Sequence, residues 1–370
     1  MSNTRAEGLS CRLRLILGAA VAILFAVVIP VRAQDLPREA SKVWPYLSTL
    51  PAAERKSVTE REACREGSLV LYGATGLDRA NFWIGEFNKR YPDIKVEFVR
   101  LLGSELYEKV ASERRTGRIR ADLIITTITY VDLLSTVDAF APYETTHWPD
   151  FDKRFLFGGR DKDWTAVVFE IFPHAIAFRT DRVSSAEAPR SLEALIDPRW
   201  KGRMGTTMHL EDFLNGLFSV IGDETGRVLV KKLSTLENRL YRSHAALSDA
   251  LASGAIDIAW GLIAARPIDL KKKGAPVDWA PENPLLAEGN TISVVRDTQR
   301  PYAAALFVDV MLSPETLQVS DAWQGGRIFG NTKGKFMLSL DQYQSLFIFP
   351  PLSKERYGEL NKLAEQLFVR

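Results

Sequence analysis

Small hydroxyl residues recur in this chain where an apolar run stops and a helical pattern begins: Thr75-Gly76, Ser104, Thr126-Thr127, Thr206-Thr207 and Ser243. Such positions pair a side-chain oxygen with backbone N–H groups that no helical turn has yet used, at the positive end of a helix dipole. That suits them to bind an anionic group. The same residues serve equally as plain helix N-caps. Trp260 either stacks on an organic or cationic solute or packs in a core, and Arg179 either pairs a carboxylate or phosphonate or lies on the surface.

Catalytic and cofactor motifs are missing. There is no P-loop, no G-x-G-x-x-G after the first strand and no G-x-S-x-G elbow. His147, His174, His209 and His244 are far apart in sequence and none has HxxxH or HExxH spacing, so a zinc site has no support. Glu211 and Asp212 are adjacent at a helix start, where the dipole favours them without a catalytic role. The expectation is a binding protein, not an enzyme, with no cofactor and no metal.

The elements that must position these residues are legible. LVLYGA (69 to 74), IKVEFVRLL (94 to 102) and ADLIITT (121 to 127) read as strands. Between the first two, Ala80, Trp83, Ile84 and Phe87 form one apolar stripe of a helix, with Thr75 and Asp78 as its capping box and Pro92 as its stop. A second helix opens at Ser104 and ends at Gly117. A third, short one has Thr129 and Asp132 in capping-box register. Crossover helices make the strands parallel, so their carboxyl ends share one edge, where ligands of open α/β sheets sit.

Further on, TAVVFEIFPHAIAFRT (165 to 180) reads as a strand that leaves the first sheet and enters a second. The β-α alternation then resumes. RMGTT (203 to 207) precedes an amphipathic helix carrying Leu210, Phe213, Leu214, Leu217, Phe218 and Ile221 on one face. HAALSDALASG follows with Ser243 as N-cap and Gly254 as stop, and then the strand AIDIAWG. NTISVVRD (290 to 297) reads as a strand returning to the first sheet, and Pro301 and Pro314 each open a helix.

At 370 residues and 46% hydrophobic content the chain is sized for two lobes with packed cores. Residues 1–33 read as a secretory signal peptide: arginines precede LILGAAVAILFAVVI, and Val31-Arg32-Ala33 closes it. Its removal takes away four basic residues and one acidic one, turning the formal charge of +2 to about −1, so nothing calls for nucleic acid. Cys64 then stands alone, without a partner for an intramolecular disulfide. The expected organisation is a helical lead-in over 34–66, one lobe from 67–165 plus 276–325, a second from 166–275, and a C-terminal helical segment over 326–370 packing on the lobes.

Five segments taken in order carry a family resemblance over most of residues 60 to 325. They are LVLYGATGLDRANFWIGEFNKRYPDIKVEFVR, GRIRADLI, LIDPRWKGRMGTT, LASGAIDIAWG with LKKKGAPVDW, and PYAAALFVDVMLSPETLQ. The chain resembles a bacterial extracellular solute-binding protein of an ATP-binding cassette (ABC) importer, of the group binding ferric iron, polyamines, thiamine and aminoethylphosphonate. The resemblance implies an α/β, two-lobed periplasmic-binding-protein fold of type II-like organisation, with hinge strands and an interlobe cleft. It also implies a periplasmic monomer that closes on a small ligand and delivers it to an ABC permease in the inner membrane. Ferric-iron members are similar in using an adjacent tyrosine pair near the segment that here reads AIDIAWGLIAA. No two of the ten tyrosines here are adjacent. A hard trivalent cation needs anionic oxygens, so the expected ligand is an anionic or zwitterionic solute, with an iron chelate left open. An exported enzyme on the same fold and a sensory binding protein are the alternatives.

Overall fold

The computed structural model describes residues 36–101, 103–147, 149, 151, 153–157, 164–281, 285–323 and 346–368. The expected signal peptide lies outside them. The described strands are β1 (Ser68–Gly73), β2 (Lys95–Arg100), β3 (Leu123–Thr127), β4 (Leu156–Phe157), β5 (Ala166–Arg179), β6 (Met204–Thr207), β7 (Arg239–Tyr241), β8 (Ile258–Ile263), β9 (Val277–Pro281), β10 (Leu285–Val294) and β11 (Leu346–Ile348). The chain divides into two compact units. The first runs to Phe169 and takes up Thr291–Gln318; the second comprises Glu170–Asn290 and Val319–Arg370. β5 and β10 therefore each belong partly to one unit and partly to the other.

In the first unit β1 lies between β2 and β3, parallel to both, with Gly73 opposite Arg100 and Ile125. β10 joins beside β3, where the Thr291 hydroxyl donates to the Thr126 carbonyl at 2.9 Å. Leu69 to Tyr72 are buried and apolar, as a central strand requires. The helix Leu77–Arg90 buries Ala80, Trp83 and Phe87, and Phe87 meets Phe307 with ring centroids 5.1 Å apart. The lead-in is helical at Ala40–Ser48 and Ala52–Glu66. It is also tied down: the Glu66 carboxylate accepts from the backbone N–H of Ala303 at 2.7 Å and of Tyr302 at 3.3 Å, capping the helix Pro301–Met311, whose own N-cap supplies no side chain. Burial raises the Glu66 pKa to about 7, against the pull of those two N–H bonds.

Cys64 is disulfide-bonded, against the expectation that it has no partner. The second cysteine of the sequence lies outside the described residues. No described helix is long and apolar enough to cross a membrane.

The second unit sets β6 between β7 and β8, all parallel, with β5 antiparallel to β8. One face of this sheet is covered by the helices Glu211–Ile221, Asp223–Ser234 and Lys354–Phe368. Their apolar sides close over Trp200, Trp260 and Phe349. The other face packs Leu247 and Leu251 of the helix His244–Ser253 on Ala177, Ala259 and Leu262. β5 is buried along its whole length and feeds both layers, Ile176 one and Ala177 the other.

Candidate functional site

At the carboxyl edge of the first unit the hydroxyls are arranged differently from the capping pattern expected. The helix after β1 starts at Leu77 with Gly76 as N-cap and no side-chain cap bond, so Thr75 and Asp78 form no capping box. The expectation fails by one residue, because Gly76 adopts the extended N-cap conformation that Thr75 was assigned. Thr75 is half-buried, and its carbonyl accepts from Arg100 Nε at 3.1 Å. The next helix begins at Gly103 with φ +46, which places Ser104 inside the first turn instead of at the cap. Glycine is needed there: a Cβ would lie 2.9 Å from the Tyr130 hydroxyl.

Thr127 precedes the 3-10 turn Ile128–Tyr130, and its hydroxyl bonds that of Thr129 at 2.7 Å. Thr129 does not cap the following helix Val131–Ser135, whose N-cap Tyr130 provides no side-chain bond. Thr126 is 1% exposed and its hydroxyl has no hydrogen-bond partner.

In the second unit several candidates prove to be scaffold. Trp260 is wholly buried, packed at 5.9 Å from both Phe213 and Phe368, and its indole N–H donates to Asn238 Oδ1 at 2.8 Å. It has no free face to stack on a solute, which corrects that expectation. Arg179 is corrected too. Its guanidinium grips the Asp181 carboxylate at 2.9 and 2.7 Å and the carbonyls of Leu251 and Ala252 at 3.0 and 2.6 Å. It closes the C-terminus of the helix His244–Ser253. The Arg179 pKa is raised, first by the hydrogen bonds to Asp181. Arg179 also sits at the end of β5, nine residues past the start of the second unit, roughly 30 Å along an extended strand.

Thr206 is fully buried and donates to the Trp260 carbonyl at 3.1 Å; Thr207 donates to the His209 carbonyl at 3.1 Å. Ser243 is the N-cap expected, accepting from the Ala246 N–H at 3.2 Å, and Gly254 closes that helix with φ +79.

The carboxyl ends of β6, β7 and β8 bring together a polar cluster that spacing alone conceals. Because β5 runs antiparallel to β8, His174 lies opposite Ile263, the last residue of β8. Glu211 opens the helix after β6, and His244 opens the helix after β7. His174 Nε2 and Glu288 Oε1 are 3.0 Å apart, and the His174 ring meets His244 edge-on at 5.7 Å. Phe213 and Phe349 pack on His174 at 5.5 and 5.2 Å, and His209 Nδ1 lies 3.9 Å from Glu211 Oε1.

Electrostatics separate the two carboxylates. Burial would raise the Glu288 pKa, but the hydrogen bond with His174 and the attraction of the two imidazoles together outweigh this and the net shift is down. Burial raises that of Glu211, helped by repulsion from Glu288. His244 falls to about 4, chiefly through burial, so its imidazole is neutral near pH 7. Three buried atoms of this cluster have no hydrogen-bond partner among the described residues, His174 Nδ1, His244 Nδ1 and Glu211 Oε2, while the Glu211 carboxyl as a group receives a hydrogen bond from Tyr357. Buried polar atoms are normally paired, so these three stand out at this sheet edge. The described residues contain no group of three or more His, Cys, Asp or Glu side chains arranged to hold a metal ion.

The cluster escaped the sequence reading because positions 174, 209, 211, 244 and 288 share no local motif. One signal was there: Glu170 and His174 are two polar residues four apart inside a strand that is apolar up to its terminal Arg179.

A family model described as bacterial extracellular solute-binding protein matches residues 120–320, more than half of the chain. The chain belongs to this family. Solved structures agree with that membership at the level of fold. A substrate-binding protein of an ABC transporter from Agrobacterium tumefaciens superposes with a TM-score of 0.69 at 15% identity, covering 81% of this chain and 94% of its own. Iron-bound HitA from Pseudomonas aeruginosa gives 0.67 at 18%, covering 81% and 99%. AfuA from Actinobacillus pleuropneumoniae, with fructose-6-phosphate bound, gives 0.66 at 17%, covering 81% and 97%. No curated protein matches the sequence. This solute-binding protein thus has the two-lobed α/β fold of periplasmic binding proteins.

Proposed function

We propose that this solute-binding protein is the periplasmic substrate-binding component of an ABC importer. In this reading it is exported by residues 1–33, works as a monomer, closes on a small organic solute by hinge motion in β5 and β10, and hands it to a membrane permease. Family membership supports the transport role. The observation that carries the ligand assignment is the set of unpaired buried atoms on His174, His244 and Glu211, beside the ionised Glu288, at the carboxyl edge of the second unit.

Two carboxylates among aromatic rings suit a ligand that brings hydrogen-bond donors, an ammonium or several hydroxyls. Thr126, Thr127 and Thr129 at the carboxyl edge of the first unit suit its acidic part. The solute class these features favour together is zwitterionic, an amine- or polyhydroxyl-bearing acid. Thr75, Gly76, Ser104, Thr207 and Ser243 stay in the proposed site as edge residues.

Native mass spectrometry of the mature protein purified from its host tests the assignment. A single retained mass at one per chain, lost in Glu211→Gln, is expected; a chain that carries and binds no small organic molecule contradicts it. One observation favours a second reading, an exported enzyme: His174 and Glu288 form a hydrogen-bonded pair of the kind used in proton transfer. Chemical change of the bound solute over time, instead of its stoichiometric retention, would select that reading.

A further inference from the structure

The first unit contains a cavity of about 470 Å³ that none of the strand-end residues lines. It is built by the start of the helix Ala52–Glu66, by Leu306, Asp309 and Val310 of the helix Pro301–Met311, and by Arg90 and Tyr91. Arg90 ends the helix Leu77–Arg90, so this wall lies 14 residues, roughly 20 Å, from the carboxyl end of β1 where that helix starts. The cavity falls in the size range of metabolite sites.

Its lining is cationic. Arg55, Lys56, Arg90 and His147 face two acids, Asp309 and Glu315. Glu315 is exposed, and Asp309 is engaged by the Thr145 hydroxyl at 2.6 Å. Burial raises the Asp309 pKa, which weakens it as a counter-charge.

Arg55 decides the case. It is only 6% exposed, and its Nη2 donates to the Glu144 carbonyl at 2.6 Å. Its Nε–H, shielded from solvent, has no acceptor among the described residues. A guanidinium is a planar fork whose Nε and Nη edges are made for bidentate pairing with a carboxylate or phosphate. No carboxylate among the described residues hydrogen-bonds the Arg55 fork; Asp309, on the same cavity wall, acts on it only through its charge. The helix that carries it begins at Pro51, which provides no side-chain cap, so the positive end of that helix adds to the field.

We propose that this cavity is a second ligand site, separate from the carboxyl-edge cluster, which binds a small carboxylate- or phosphate-bearing anion on the Arg55 fork with Lys56 as a further cation. A slight rotation of the guanidinium presents the unused Nε edge to the anion, and Lys56, exposed at the mouth, attracts it. The proposal does not depend on the transport reading, since every residue it uses lies in the first unit.

The test is hydrogen exchange and calorimetry on the mature protein with inorganic phosphate and with citrate, at constant ionic strength set by potassium chloride. Saturable 1:1 binding is expected, with slowed exchange over residues 52–59 and 306–310. Lys56→Glu, an exposed change that the fold tolerates, should weaken binding at least tenfold. Arg55→Lys, which keeps the charge and removes the fork, should do the same and narrow the difference in protection between phosphate and chloride. Protection equalled by chloride alone, absent from those two segments, or unchanged in Lys56→Glu overturns the site. Comparing phosphate with citrate shows which of the two anion chemistries it prefers.

Discussion

His174 on β5 and Glu288 on β10 meet at 3.0 Å, Nε2 to Oε1, joining the two strands that each belong to both units. The bond holds the imidazole by one nitrogen and leaves Nδ1 buried and unused. A few residues earlier on β5 and later on β10, Asn290 Nδ2 donates to Glu170 Oε2 at 3.2 Å. Both pairs sit within the second unit, next to the points at which the strands change unit.

Removing one member of the first pair strands the other. Glu288→Ala leaves a 2% exposed His174 with neither ring nitrogen paired, and the expected loss is about 1–3 kcal/mol of unfolding free energy. The paired change of His174 to Phe with Glu288 to Leu removes both polar groups and should recover most of that loss. Urea denaturation of the three proteins measures it, and equal stability of the single and double variants would count against a buried pair.

The neutral imidazole of His244 makes stability depend on pH in a defined window. The unfolded chain takes up a proton near 6.5 and the folded chain only near 4, so stability is intact above 6.5 and falls as pH drops toward 4. The loss is at most about 3 kcal/mol. His244→Asn should flatten the difference in denaturation midpoint between pH 7 and pH 4.5; a variant with the full wild-type slope would show that His244 is not its source.

Gly216 should respond to alanine against the usual helical trend. An exposed helix position gains about 1 kcal/mol from glycine to alanine, but a Cβ at Gly216 would run into the Phe349 ring. Phe349 also packs on His174. Gly216→Ala should therefore cost about 1–3 kcal/mol by overpacking and disturb the polar cluster, seen as a lower melting temperature together with weaker solute retention. A melting temperature raised by the change would mean that Phe349 moves away freely.

Arg179 should behave as a scaffold residue. Arg179→Met leaves the carbonyls of Leu251 and Ala252 without their donor, at a cost of about 2–4 kcal/mol. The loss should appear in thermal unfolding, with any change in solute affinity following from the loss of folded protein. A variant of wild-type stability that had lost its solute would restore Arg179 to the binding site.

Local punctuation made most of the fold readable. Pro301 and Pro314 open helices, Ser243 and Gly254 bracket one, and Gly117 ends another because each acts within a single turn. The apolar runs of β1, β3 and β8 were equally plain, since buried parallel strands need no partner to be recognised. The site was less readable for the opposite reason. Trp260 and Arg179 have side chains that suit ligands, but whether they face solvent depends on Asn238, Phe368, Leu251 and Ala252, which sequence distance hides. His174, Glu211, His244 and Glu288 gain their chemistry from being brought to one sheet edge, and each looks ordinary where it stands in the chain. The cap expected at Thr75 falls on Gly76, and the helix expected to open at Ser104 already includes Gly103, shifts of the size by which helix ends commonly differ.

Native mass spectrometry of the mature protein purified from its own host, beside Glu211→Gln, tests the central claim most directly. The account predicts one organic solute per chain, bearing both an acidic group and hydrogen-bond donors, held by the wild type and lost by the variant. A ligand without donor groups, or one retained equally by Glu211→Gln, would contradict it.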